Sequence, residues 1–345
     1  MLKTLLHQVK NYKKASILTP VFAALESVME VLIPFVMASI IDNGIKQQNI
    51  QYVWYGGGLM VLMALLSLTF GILAGRFAAE ASTGFACNLR DGMFENIQTF
   101  SFSNIDTYST AGLVTRLTTD VTNVQNAYQM ILRMCVRAPV MLICAVVMSL
   151  IISPRLSSIF LVAMVFLIVV LVFIMSRTMG LFNNVFRKYD DLNASVQENV
   201  SAIRVVKSFV REDYENEKFK KAAGNIYKLF VKAESILAFN NPAMMLSIYG
   251  CILALSWFGA QMITVGDLTT GQLTSLFSYV MTILVSLMII SMAFVMITMS
   301  VASARRISEV LNEKADLTSP ENPDYDIPDG SVDFENVSFA YKRGT

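Results

Sequence analysis

Long apolar stretches alternate along this chain with segments in which apolar residues recur every three or four positions, a pattern that predicts helices almost throughout. A bilayer core of about 30 Å needs about 20 mostly apolar helical residues. Six stretches qualify, at about residues 15–41, 53–75, 134–153, 157–179, 236–265 and 273–302. The fourth is the clearest, because Ile159 to Met175 contains no polar residue. The connections differ by side. DNGIKQQN, ISPRLS and TVGDLTTG are short and carry the Gly or Pro of turns, whereas the other connections are long and keep a helical pattern.

Those long connections read as stalks. Before the third span, Leu113, Leu117, Val121, Val124, Tyr128 and Ile131 form a helix stripe that needs a partner. After the fourth span, Leu192, Val196, Val200, Ile203 and Val206 form a second, with no proline between Pro154 and Pro242. A helix from Ser157 to Val210 would be about 80 Å long, so roughly half of it projects beyond the hydrocarbon. Stripes of this kind would stay wet in a single chain and favour a dimer. SVASARRISEVLNEK then continues the last helix to about residue 314, and LTSPENPDYDIPDG breaks the pattern as a linker over 315–330. From 331 to 345 the period changes to two, with Val332, Phe334, Val337, Phe339 and Tyr341 suited to strands, so a β-rich domain is expected to begin there. The expected fold class is an all-α membrane protein with six long helices extended into stalks and a short β segment at the C-terminus.

Composition agrees: 54% of residues are hydrophobic and 15% charged, against roughly 25% charged in soluble domains. Only Lys46 and Arg155 among the basic residues fall in the short turns, so the positive-inside rule places both termini and the stalks in the cytoplasm of a multi-pass cell-membrane protein. Mapped this way, the charges give no nucleic-acid partner. The N-terminal MLKTLLHQVKNYKKAS has no small-residue cleavage site, and its Leu2, Leu5, Leu6 and Val9 predict a short helix on the membrane surface. Cys87, Cys135, Cys144 and Cys251 stand singly without metal or disulfide spacing.

Ionisable side chains within spans are costly and mark function by default. Glu26 and Glu30 share one face of the first span, and Arg133 and Arg137 share one near the third. These faces are expected to line a substrate cavity, with the carboxylates attracting cationic amphiphiles and Met and Phe adapting to their shape. The alternative is structural: arginines that snorkel, Arg76 paired with Glu80, and glutamates bonded to neighbouring helices.

Four local sequences carry a family resemblance: SFSNIDTYSTAGLVTRLTTDV from Ser101, VQENVSAIRVVKSFVREDYENEKF from Val196, SVASARRISEVLNEK from Ser300 and GSVDFENVSFAYKRGT from Gly330. In this order the chain resembles an ABC exporter half-transporter of the bacterial multidrug type, over essentially its whole length. The resemblance implies an ATP-hydrolysing translocase that uses ATP and Mg in full-length form. It implies alternating access, a second half-transporter, with a heterodimer favoured, and location in a bacterial inner membrane. It places a first coupling turn at Asn104 to Thr110, with Asp106, Thr107 and Tyr108, and a second at Glu212 to Phe219, with Glu212, Asp213, Tyr214 and Glu215, both docking on nucleotide-binding domains. It also assigns Tyr341 to adenine stacking, chemistry that suits a flat π face. The substrate it implies is an amphipathic drug or other lipophilic small molecule. Ala202 departs from the family, which often has Gly there.

A phosphate loop of the form G-x-x-x-x-G-K-[ST] is not found in the chain; the nearest match, GDLTTGQ from Gly266, has Gln for Lys and lies in a short turn. The family's signature motif and catalytic carboxylate are not found either, so these residues alone are expected to be inactive in ATP hydrolysis. Peptide or lipid export, a passive channel or secondary transporter, and a receptor with a cytoplasmic domain remain as alternatives.

Overall fold

A computed structural model describes residues 1–315, 317 and 329–338, including the side chains of all of these but 106, 107, 179, 183, 186 and 190. The chain is a set of helical rods, since in lipid a helix satisfies its own backbone polar groups. A short helix α1 (Leu2–His7) leads to α2 (Lys13–Ser39), which widens into a π-turn at Ile40–Ile45. After a turn capped by the Asn49 side chain, α3 (Ile50–Gln98) runs 49 residues, about 74 Å. The first stalk tip holds α4 (Phe102–Thr107), and α5 (Thr110–Thr115) passes through a π-segment at Arg116–Asp120 into α6 (Val121–Ile152). Ser153 caps α7 (Pro154–Ser201), whose first residue is the proline that suits a helix start. Then come α8 (Ile203–Ser208), α9 (Glu212–Ala238), α10 (Asn240–Val265) and α11 (Thr270–Asn312). Six of these rods are long and apolar enough to cross a membrane, counting α5–α6 and α9–α10 as one each.

Local rules explain the reversals. GDLTTGQ is a turn and a cap: Gly266 takes φ 92°, a left-handed end for α10, and Thr269 and Gln272 cap α11 reciprocally. Nearby, Asp42 accepts from the Gly271 N–H at 3.1 Å and from the Thr269 hydroxyl, tying α2 to the start of α11. Gly271 is required there, because a side chain would run into the Ala38 carbonyl.

Two buried clusters hold the rods together. Toward the short turns, Leu156, Phe160 and Leu167 of α7 meet Leu255 of α10 and Leu276, Tyr279 and Ile283 of α11. Toward the first tip, Leu89 and Met93 of α3 meet Val121 and Val124 of α6 and Ile307 and Val310 of α11. Between them α2 and α3 approach closely on Ala23, Ala74 and Ala78, with Phe22 stacked on Phe77 at 5.7 Å.

Four expectations change in the structure. The helix of the fourth span ends at Ser201 rather than Val210: Ala202 leaves helical geometry and Val210 takes φ 53°, unusual for a β-branched residue. Helix α1 is only half a surface helix, since Leu5 and Val9 are buried in the tip-end cluster while Leu2 and Leu6 are exposed. The stripe of the first stalk is not left wet by a single chain, because Leu113, Val121 and Val124 are covered by α3 and α11; that of the second stalk is bare at Val196, Val200 and Ile203. Among the described residues 329–338 there is no strand; Val332, Phe334 and Val337 are exposed, and a strand forms only where a second one supplies its ladder.

Candidate functional site

Three places carry the predicted site residues: a charged cluster inside the bundle and the two stalk tips. In the cluster, Arg137 of α6 reaches α2, with Nη1 3.1 Å from Glu26 Oε1 and Nη2 2.8 Å and 2.9 Å from the two Glu30 oxygens. Gly71 of α3 makes the space: a Cβ there would meet Glu26 Oε1 at 2.9 Å. The sequence put Arg133 beside Arg137, and the fold separates them. Arg133 lies toward Gly75 of α3, its Nε buried without a hydrogen-bond partner. Arg76 and Glu80 form no ion pair. The fork of Arg137 is thus shared between two carboxylates of the next helix, a geometry that guanidinium provides and ammonium does not. Arg137 also edges a cavity of about 390 Å³ between α6 and α11, lined by Met134, Met141, Met281 and Val285. Glu26, Glu30 and Arg133 do not line it.

At the first tip, α4 begins with Ser101 and Asn104, where Asn104 Oδ1 accepts from the Ser101 N–H at 3.2 Å. Asn104 is buried, and its amide donates to Glu313 Oε1 at 2.9 Å and to the Lys314 carbonyl at 3.2 Å. The Tyr108 hydroxyl donates to the other oxygen of Glu313 at 3.0 Å, and the Tyr108 ring stacks on Phe100 with the Arg116 guanidinium 4.8 Å from its centroid. Burial pushes the Tyr108 hydroxyl above its ordinary pKa, and the hydrogen bond to Glu313 adds to that. The side chains of Asp106 and Thr107 lie outside the described set.

At the second tip, Glu212, Asp213 and Glu215 occupy the first turn of α9, where carboxylates suit the helix dipole. Glu212 pairs with Lys207 at 3.3 Å, and Glu215 accepts from Asn199 at 3.1 Å, joining α7 to α9 below the tip. Tyr214 projects into solvent. Sequence reasoning missed two features of the tips. Phe102 is 85% exposed on α4 and Phe209 is 73% exposed beside Val210, so each tip offers a bare aromatic. Both phenylalanines stand inside polar runs, SFSN and KSFVRED, and that setting is the signal in the sequence that points to them. Tyr341 lies outside the described residues.

Residues 16–288 match the family model for the ABC transporter transmembrane region. The chain belongs to that family. Over 333 residues it is 33% identical to the uncharacterized ABC transporter ATP-binding protein YfiB of Bacillus subtilis, covering 96% of this chain and 58% of that protein. It is 29% identical over 344 residues to the uncharacterized ABC transporter ATP-binding protein Rv1273c of Mycobacterium tuberculosis, covering 99% of this chain and 59% of the other. A more distant relative is the fatty acid ABC transporter ATP-binding/permease protein of Mycobacterium tuberculosis, 27% identical over 233 residues, or 68% of this chain and 37% of that one. The chain therefore spans less than two thirds of the length of these relatives. Its ABC transporter membrane region accounts for the helical fold, the six spans and the stalks.

Proposed function

We propose that this chain is the membrane-spanning part of an ATP-driven exporter that moves amphipathic drugs or other lipophilic small molecules by alternating access. The observation that carries the reading is the projection of both stalk tips. The rods that bear them are 43 to 54 residues long, where about 20 residues suffice to cross a bilayer, so much of each is available to meet a soluble partner. In this reading the termini and tips are cytoplasmic. Tyr108 with Asp106 and Thr107, and Glu212 to Glu215, dock on nucleotide-binding domains that bind ATP and Mg, with Tyr341 against the adenine. A second half-transporter, of a different sequence, completes the pathway.

The Met-rich cavity beside Arg137 supplies adaptable apolar contact for the substrate. Arg137 gives that cavity its polar edge, and the carboxylates of Glu30, the more exposed, and Glu26 stand behind it on α2. Around Arg137 itself two carboxylates face one guanidinium, a local excess of negative charge that favours cationic amphiphiles, although Arg133, one turn away, brings the formal charge of the four groups to zero.

The test is reconstitution of the full-length protein with its partner in vesicles. ATP-dependent accumulation of a cationic dye is expected, and dye flux equal with and without ATP would make the protein a passive pathway. Loss of that accumulation in the Glu26→Gln, Glu30→Gln double variant would tie the cluster to substrate. A second reading, lipid-like substrates, is favoured by the likeness to the fatty acid transporter. Competition of dye transport by a long-chain carboxylate separates the two.

A further inference from the structure

The last turn of α11 has an unusual end. A helix leaves its final carbonyls without partners inside the helix, and these are ordinarily met by a glycine-based reversal, by basic side chains or by water. Here there is no basic residue in the last turn, and the chain leaves in an extended conformation at Glu313, φ −65° and ψ 138°. The missing donors come from two other elements. The Asn96 amide near the end of α3 donates to the Val310 carbonyl at 2.7 Å and the Glu313 carbonyl at 2.9 Å. The Asn104 amide of α4 donates to the Lys314 carbonyl at 3.2 Å. The Glu313 side chain returns the contact, accepting from Asn104 at 2.9 Å with one oxygen and from the Tyr108 hydroxyl at 3.0 Å with the other. One turn back, Arg116 pairs with Glu309 at 3.2 Å and donates to the Arg306 carbonyl at 2.9 Å.

From this closed set of bonds we infer that Glu313 is a positioning residue that locks the first coupling turn to the exit of the last membrane helix, so that the two move as one body during transport. The inference rests on the reading of residues 104–110 as a coupling turn. Two inputs then converge on one point: a push on α4, and a pull on the chain that leaves α11 at Glu313. The buried Asn104 amide enforces the link, since separating α4 from α11 would strand it together with the Lys314 carbonyl and a Glu313 carboxylate oxygen.

The decisive experiment is an Asn104→Cys, Glu313→Cys pair in full-length protein whose native cysteines, Cys87, Cys135, Cys144 and Cys251 and any outside these residues, are replaced by serine or alanine. A short bis-thiol linker is expected to join the pair equally in nucleotide-free protein and in protein holding a non-hydrolysable ATP analogue, and, because the linker replaces the bonds that the two substitutions remove, to bring the ATP hydrolysed per substrate moved from the raised ratio of the unjoined pair back to within about two-fold of the parent. Linking in only one nucleotide state, or transport that stops on linking and returns on release, would overturn the lock. A companion pair of variants reads the same point without a linker. Glu313→Leu, which loses both side-chain bonds, is expected to raise the ATP hydrolysed per substrate moved by about five-fold or more. Glu313→Gln keeps an acceptor for Asn104 and a polar partner for Tyr108, and should restore the parent ratio. An unchanged ratio in Glu313→Leu refutes the positioning role. If the parent shows no ATP-driven transport, the exporter reading fails, while the nucleotide dependence of linking still judges the lock.

Discussion

The stalk on α5–α6 and the stalk on α7–α9 carry the same kind of apolar stripe, yet the first is packed away and the second is bare. Leu113, Val121 and Val124 sit against Leu89, Met93 and Ile307 of the same chain, whereas Val196, Val200 and Ile203 remain exposed along an open groove edged by Asn216 and Phe219 of α9. Helices α7 and α9 are held mainly to each other along the stalk, through contacts such as Phe182 with Phe230 at 5.8 Å and Lys218 with Glu198 at 3.6 Å. One half of the molecule is thus a finished body, and the other is an arm whose apolar side awaits cover. In the two-chain exporter proposed above, this arm is the part of the fold that a second half-transporter would cover. Periodicity states that a face is apolar, but not which chain covers it.

The contrast is sharpest where the body holds charge. Arg137→Met should destabilise the protein by about 3–5 kcal/mol in detergent unfolding, because it leaves the Glu26 and Glu30 carboxylates without their partner inside the bundle. Adding Glu26→Gln and Glu30→Gln to that variant should recover most of the loss. If the single and triple variants unfold alike, the cluster does not tie α2 to α6.

The two stripes can be set against each other with apolar truncations. Leu89→Ala, at a fully buried site, is expected to cost about 2–5 kcal/mol, and Val200→Ala, at an exposed one, less than about 0.5 kcal/mol in the same unfolding measurement. Equal costs would erase the distinction between body and arm. A charge on the arm probes its cover: Val200→Arg should weaken two-chain assembly by about ten-fold in a dilution series while leaving single-chain stability near that of the parent.

A smaller effect than the loss of a core side chain belongs to the first tip. The Tyr108 hydroxyl has a pKa raised by burial and by its bond to Glu313, so the folded state favours the neutral form. Its contribution is fully present below the unfolded value of about 10 and is lost as pH rises through the higher folded value. Stability should therefore fall by about 0.5–1.5 kcal/mol more between pH 8 and pH 11 in the parent than in Tyr108→Phe. Matching curves for the two proteins would mean that the Glu313 bond contributes nothing there.

Much of the fold was legible because the membrane imposes a coarse rule. Runs such as Ile159 to Met175 can only be helical spans, and Gly266 and Thr269 marked a turn and a cap by chemistry that works within a few residues. The break at Ala202 was less visible, since no proline or glycine announces it and the apolar spacing runs on to Val206. Within the site, the sequence singled out Glu26, Glu30 and Arg137 as costly charges but could not pair them, because the pairing depends on how α2 and α6 cross. Glu313 gave no signal at all. It reads as one more charge before a linker, and its partners Asn104 and Tyr108 lie 209 and 205 positions away.

By itself the sequence determined the six spans, the projecting stalks and the membership of a transporter family, all of which follow from local hydrophobicity, helix period and short motifs. Only the tertiary structure decided which stripe is covered, which arginine meets the two glutamates and what caps the end of α11. Those outcomes rest on contacts between segments far apart in the chain, where hydrogen-bond geometry and packing select the partner and residue type alone leaves many candidates equal.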